Sequence, residues 1–183
     1  TVRHAAFQVS SIITTTGFAT TNFDNWPSFS KAILLSLMVI GACAGSTGGG
    51  LKVVRVLILF KSTVRNLLQL LHPQEVHVIR VNGRPLSEKV VANTNTYLAV
   101  YTIILTFSFI VLSLDGFSLT SNFSAVLACF NNIGPGLEIV GPASNYSAYS
   151  DLSKGVLIFD MLAGRLELFP ILALFVPRTW MRH

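Results

Sequence analysis

The sequence predicts an all-α integral membrane protein, and three observations carry that reading. Hydrophobic residues make up 51% of the 183 positions and charged residues only 11%, with a mean hydropathy of +0.62, well away from the balance of a soluble domain. Long apolar segments lie at residues 32–51, 90–114 and 155–177; the second holds no charge and is long enough for a helix across a hydrocarbon core of about 30 Å. Within the first, residues 41–50 (GACAGSTGGG) interrupt the apolar run with five glycines and no large side chain. Irregular backbone at membrane depth leaves amide groups unpaired unless it is buried in protein or lines a water-filled cavity. The break therefore points to a functional cavity inside the membrane.

The net charge of +5 is unevenly spread, and its distribution points to membrane topology rather than to nucleic acid. Seven of the thirteen Lys and Arg fall at residues 52–89, and Arg178 and Arg182 follow the third apolar segment, whereas residues 115–154 hold one Lys against Asp115, Glu138 and Asp151. By the positive-inside rule, residues 52–89 and the C-terminus are cytoplasmic and residues 115–154 lie outside. The chain starts at Thr1, with neither an initiator Met nor a leading hydrophobic segment, and is expected to be a piece of a longer protein. Cys43 and Cys129 sit among small or apolar neighbours and read as free thiols used for packing.

Residues 3–13 (RHAAFQVSSII) suit a helix too short to span a bilayer, and they run into the turn-rich TTTGFATTNFDNWP. Pro27 and Ser28 open the next helix, which reaches the glycine break at Ile40. Past the break, residues 51–71 resume as a helix whose Lys52, Arg55, Lys61 and Arg65 carry it into the cytoplasm, and His72 and Pro73 end it. Residues 75–89 alternate apolar and polar through Val76, Val78 and Val81 and turn at Asn82 and Gly83, the pattern of a short hairpin. His77 has no second ligand at metal-binding spacing and reads as a solvated strand residue. After the uncharged segment, residues 122–133 (NFSAVLACFNNI) form a second apolar half-helix ending in a glycine turn, and a last helix is expected over 152–176.

These elements repeat. Ser30 and Lys31, followed by Gly41, match Ser153 and Lys154, followed by Gly164; upstream, Gly17 after TTT matches Gly134 after NNI, with six more residues in the second loop. A half-helix that enters from outside and stops midway aims its partly negative C-terminal end at the membrane centre. The turn after it can aim carbonyls into a pore, and both features replace the water shell of a cation. Gly17 and Gly134 permit the backbone angles such a turn needs. Ordinary outer loops also contain glycine turns, but recurrence ahead of the same broken-helix pattern favours the pore.

HAAFQVSSIITTTGFATTNF, GACAGSTGGGLKVVR, FNNIGPG and FDMLAGRLELFPILALF together closely resemble the Trk/Ktr/HKT superfamily of potassium uptake proteins, over essentially the whole chain. The resemblance implies tandem helix, pore-loop, helix repeats of a pseudo-fourfold, potassium-channel-like pore. Residues 1–71 would be the third repeat without its first helix, 72–91 a cytoplasmic hairpin linker and 92–183 the fourth repeat. It implies K+ held by the backbone carbonyls of Thr16, Gly17, Ile133 and Gly134, with Thr15, Phe18, Asn132 and Pro135 beside them. One glycine per filter segment stands where potassium channels carry TVGYG. Gly45, Ser46, Thr47, Gly48, Gly49 and Gly50, with Arg165, would form the intracellular gate. The resemblance further implies residence in the bacterial inner membrane, the remaining pore repeats of the same protein, a homodimer, and a cytosolic nucleotide-binding ring subunit of the TrkA type. The hairpin and the basic helix end near Lys61 and Arg65 are the expected contact for that subunit.

Arg165 also stands out on its own chemistry. Placing it in hydrocarbon costs about 2.5 to 3.5 kcal/mol, so it faces protein or water. Because Gly164 aligns with Gly41, Arg165 and the glycine break are expected at similar depth. A positive charge below a cation filter opposes passage, and a loop of small residues can move in and out of the path. Asp160 and Glu167 are poorly spaced for a same-face pair with Arg165; a partner on another helix is the alternative.

An enzyme is not expected: GACAGSTGGGLK has Leu51 where a phosphate loop needs Lys, and a dinucleotide fingerprint fails at Val53. The serious competitor is an ion-coupled secondary transporter, moving K+ with H+ or Na+ through discontinuous helices. Repeats that run in the same direction favour the pore over that reading, and glycines at two membrane-embedded turns argue against a purely structural membrane subunit.

Overall fold

The computed structural model describes residues 2–41, 49–72, 78–166 and 168. In chain order these form α1 (Val2–Ile13), α2 (Ser28–Val39), α3 (Val53–Leu71), a hairpin of β1 (Arg80–Val81) and β2 (Arg84–Pro85), α4 (Glu88–Leu112), α5 (Leu119–Phe130) and α6 (Asp151–Arg165).

α4 is the one helix among the described residues that is long and apolar enough to cross a membrane, an 18-residue window within Glu88–Asp115 reaching a mean hydropathy of 2.2. It starts two residues ahead of the uncharged run because Glu88 is favoured in the first turn, where the helix end is partly positive. The Glu88 carboxylate also accepts a bond from Arg65 Nη1 at 2.6 Å. One face of α4 buries Tyr97, Tyr101, Ser108 and Leu112, while Ile103, Phe107 and Ile110 project outward, the division a helix needs between protein and lipid.

α5 begins at Leu119, not at the expected 122, because the Ser118 hydroxyl caps the helix by accepting from Ser121 N at 3.1 Å. It ends at Phe130, not 133, since Asn132 and Gly134 turn left-handed. Nine of its twelve residues are buried, against three of twelve in α1, so α5 is the central pillar. α4, α6 and α2 pack around it, α1 packs on α2, and α3 on α4. The described part of the last helix closes at Arg165; the remainder of the expected 152–176 span lies outside the described residues.

The glycine break separates α2 from α3. Ile40 pairs with Leu51 in a parallel bridge, and Gly41 N donates to Leu51 O at 2.9 Å. A neck is thus closed at Ile40 and Leu51, and the parallel pairing means the two segments run in the same direction there. Residues 42–48, and with them Cys43, lie outside the described residues. Cys129 is a free, buried thiol.

The hairpin is shorter than its alternation suggests. Its strands are two residues each, joined by Asn82 and Gly83 at φ of 51° and 77°, the geometry favoured by an Asn-Gly turn. Pro85 withholds an N–H from the ladder, and Glu88 and Lys89 belong to α4. Val76 and His77 lie outside the described residues.

Candidate functional site

The C-terminal turns of α1 and α5 have the same backbone course. Beyond α1, Thr15 N donates to Ile12 O (3.1 Å), and Thr16 N and Gly17 N both donate to Ser11 O (2.9 and 3.5 Å). Beyond α5, Asn132 N donates to Cys129 O (3.0 Å), and Ile133 N and Gly134 N both donate to Ala128 O (2.8 and 3.4 Å). Thr15 and Gly17 have φ of 55° and 76°; Asn132 and Gly134 have φ of 56° and 104°. Positive φ alternates residue by residue in both turns, which requires glycine at the second position and suits asparagine at the first. The match continues past the inserted segment. Asn22 caps the 3-10 turn Phe23–Asn25 through Asp24 N, and Asn145 caps the 3-10 turn Tyr146–Ala148 through Ser147 N. α2 then starts at Ser28 where α6 starts at Asp151.

The two turns meet. A Cβ added at Gly17 would lie 2.0 Å from the Ile133 carbonyl oxygen and 3.2 Å from Pro135 Cδ, so Gly17 is wedged against the second turn. Ile133 is buried, whereas Thr16 and Phe18 are exposed. Above them, Asp24 Oδ1 accepts from Glu138 N at 2.9 Å across 114 positions of sequence. Glu138 itself accepts from the hydroxyls of Ser118 and of Ser121, and these donors hold its carboxyl below the usual carboxylate range.

Hydroxyls hold the turns in different ways. In the first, Ser11 Oγ donates to Phe18 O at 2.7 Å. In the second, Leu137 N donates to Ser124 Oγ at 2.9 Å and Tyr146 O–H donates to Gly134 O at 2.6 Å. The Gly134 carbonyl, expected with that of Gly17 to face the ion path, is therefore engaged by Tyr146.

Glycines of both broken-helix segments close on the end of α5. Added Cβ atoms at Gly49 and Gly164 would lie 2.3 Å from Asn131 O and 1.7 Å from Phe130 O, and one at Gly50 would lie 2.8 Å from Asn131 Oδ1. Asn131 is fully buried; its Oδ1 accepts from Tyr101 O–H at 3.2 Å. Asn132 Nδ2 donates to Met161 O at 3.1 Å, tying the turn to α6. Of the expected gate residues, Gly49 and Gly50 belong to this cluster, and Gly45, Ser46, Thr47 and Gly48 lie outside the described residues. Arg165 is exposed and terminates α6 one residue beyond Gly164. Asp160 is buried and accepts from Ser108 Oγ of α4 at 2.8 Å.

Sequence reasoning missed Tyr146, Ser11, Asp24 and the Tyr101–Asn131 pair. The repeat held a signal for Tyr146, which falls where the first unit has Phe23. The partners of Asp24 and Tyr101 are distant in sequence and leave no local pattern.

The family model of the TrkH cation transport protein matches residues 1–181. The chain is 42% identical over 180 residues to the Trk system potassium uptake protein TrkH of Escherichia coli (strain K12), covering 98% of this chain and 37% of that protein. It is 34% identical over 177 residues to Trk system potassium uptake protein TrkG of the same organism, covering 97% and 36%. It superposes on the crystal structure of the potassium transporter TrkH from Vibrio parahaemolyticus with a TM-score of 0.86 at 43% identity, covering 97% of this chain and 37% of that one. The chain spans little more than a third of the length of these relatives. At this identity and coverage, the chain belongs to the TrkH family of cation transport proteins.

Proposed function

We propose that this chain is the C-terminal part of the ion path of a potassium uptake protein of the bacterial inner membrane, carrying K+ inward down its electrochemical gradient. The observation that carries the reading is the pair of matched, left-handed glycine turns at Gly17 and Gly134, side by side at the C-terminal ends of two half-helices. Helix ends of this polarity favour a cation, and closely set carbonyls replace its hydration. K+ is the cargo here, coordinated by turn carbonyls of residues 15–18 and 132–135.

In this reading residues 1–71 and 92–183 are two of four pore repeats, with 72–91 as a cytoplasmic linker. The open faces of α1 and α4 adjoin the remaining repeats, the lipid and a second protomer. Residues 45–50 and Arg165 gate the path from the cytoplasmic side. Support comes from the closed neck at Ile40 and Leu51, from Gly49, Gly50 and Gly164 meeting at the end of α5, and from Arg165 following directly. A ring subunit of the TrkA type docks on the inner face. A groove of about 320 Å³ lined by Phe60, Lys61, Val64, Arg65, Val78 and Arg80 supplies an apolar floor and a basic rim for it.

The test is K+ uptake by the full-length parent in cells lacking other K+ systems. Gly17→Asp puts a side chain into the Ile133 contact and a charge at the turn, and uptake is expected to be lost; normal uptake rejects the filter assignment. Flux in liposomes with K+ as the only permeant ion, and no H+ or Na+ gradient, separates a channel-like pore from coupled symport.

A further inference from the structure

Resting on that reading, we infer that Tyr146 is the positioning residue of the second filter turn and sets its ion specificity. The two glycines at the heart of the turns are held by different means. Gly17 is fixed by packing, with the Ile133 carbonyl and Pro135 against its Cα. Gly134 has open space where a Cβ would stand, with nothing within 4 Å. Its φ of 104° lies in a broad region open to glycine, and no side chain packed at its Cα fixes the direction of its carbonyl. The Tyr146 hydroxyl does, by donating to Gly134 O at 2.6 Å.

The tether is itself on a rigid mount. Tyr146 leads the 3-10 turn capped by Asn145. Its ring lies 6.3 Å from that of Tyr149, whose own hydroxyl donates to Asn122 Oδ1 of α5 at 2.9 Å. Tyr149 is buried against Phe117, with ring centroids 5.0 Å apart. The hydroxyl position is thus referenced to α5, the same helix that ends in the turn. Phe23, at the matching place in the first unit, is buried and has no hydroxyl; there Ser11 Oγ holds the Phe18 carbonyl instead.

Discrimination between K+ and Na+ depends on carbonyls that keep their number and direction around the ion. A Gly134 carbonyl released from Tyr146 would no longer keep a fixed direction at the ion and would accommodate the smaller one. Tyr146→Phe removes the tether and keeps the ring. In liposomes containing the purified full-length parent, the K+/Na+ permeability ratio is expected to fall about fivefold, the ratio corresponding to one ordinary hydrogen bond. Thermal stability is measured alongside, because a purely structural loss lowers the melting point and leaves the ratio unchanged. Asn145→Ala loosens the turn that carries Tyr146 without touching its ring, and shifts the ratio in the same direction. Unchanged ratios in both variants overturn the inference. Gly134→Ala separates this outcome from failure of the filter reading: it is expected to abolish selective uptake, and normal selectivity in that variant would sink the filter assignment itself.

Discussion

Gly164→Ala tests the junction of α5 and α6 with a single methyl group. The added Cβ would stand 1.7 Å from the Phe130 carbonyl oxygen and 2.9 Å from its carbon. The obstruction is backbone, so no side-chain rotation relieves it, and α6 must move away from the end of α5. That movement stretches the Asn132 Nδ2 bond to Met161 O, now 3.1 Å, beyond hydrogen-bonding range. Overpacking of this kind costs about 1–3 kcal/mol and the lost bond about 0.5–1.5 kcal/mol, together about 1.5–4.5 kcal/mol. Gly155 on the same helix is the internal control: nothing lies within 4 Å of its would-be Cβ, and alanine there favours the helix by up to about 1 kcal/mol. The assay is thermal unfolding of the full-length parent in detergent, followed by loss of the monodisperse size-exclusion peak. Gly164→Ala should lower the midpoint by several degrees and Gly155→Ala should hold or raise it. Equal midpoints would refute the close approach of the two helices.

Other consequences follow from the same contacts. Tyr101→Phe removes the donor to the buried Asn131 Oδ1 and is expected to cost about 1–3 kcal/mol; an unchanged melting point would mean the pair contributes nothing. The Glu138 carboxyl is held below its ordinary range by Ser118 and Ser121. Its stabilising contribution is therefore complete above the unfolded value of about 4.3 and is lost as pH falls through the lower folded value. Stability measured downward from pH 6 should drop more steeply in the wild type than in Glu138→Gln, and identical acid limbs would reject the assignment. Deleting residues 45–48, which spares Gly49 and Gly50 at the Asn131 contact, or replacing Arg165 by Ala, is expected to raise K+ flux in liposomes. Flux that stays the same or disappears in well-folded protein counts against a barrier there.

Much of the helical framework was legible locally. The start of α2 at Ser28 follows from Pro27 ahead of it, and the hairpin turn follows from Asn82 and Gly83. The shifts that occurred have local causes too, but weaker ones: a Ser118 hydroxyl pulled α5 forward, and the negative charge of Glu88 suited the first turn of α4. The candidate site was legible as two glycine turns in matching surroundings, because left-handed backbone and small residues mark a sequence wherever they occur.

Sequence by itself determined that the chain is apolar and helical, with glycine turns at Gly17 and Gly134 and a glycine-rich interruption of an apolar run at residues 41–50. These features depend on composition and on neighbours a few positions apart. Only the tertiary structure decided that Gly17 rests on Ile133, that Asp24 reaches Glu138, and that Gly49, Gly50 and Gly164 converge on the end of α5. It also decided that the Tyr146 hydroxyl donates to the Gly134 carbonyl. Each of these contacts joins different segments of the chain, and close packing around the buried α5 selects them, not the propensity of any one segment.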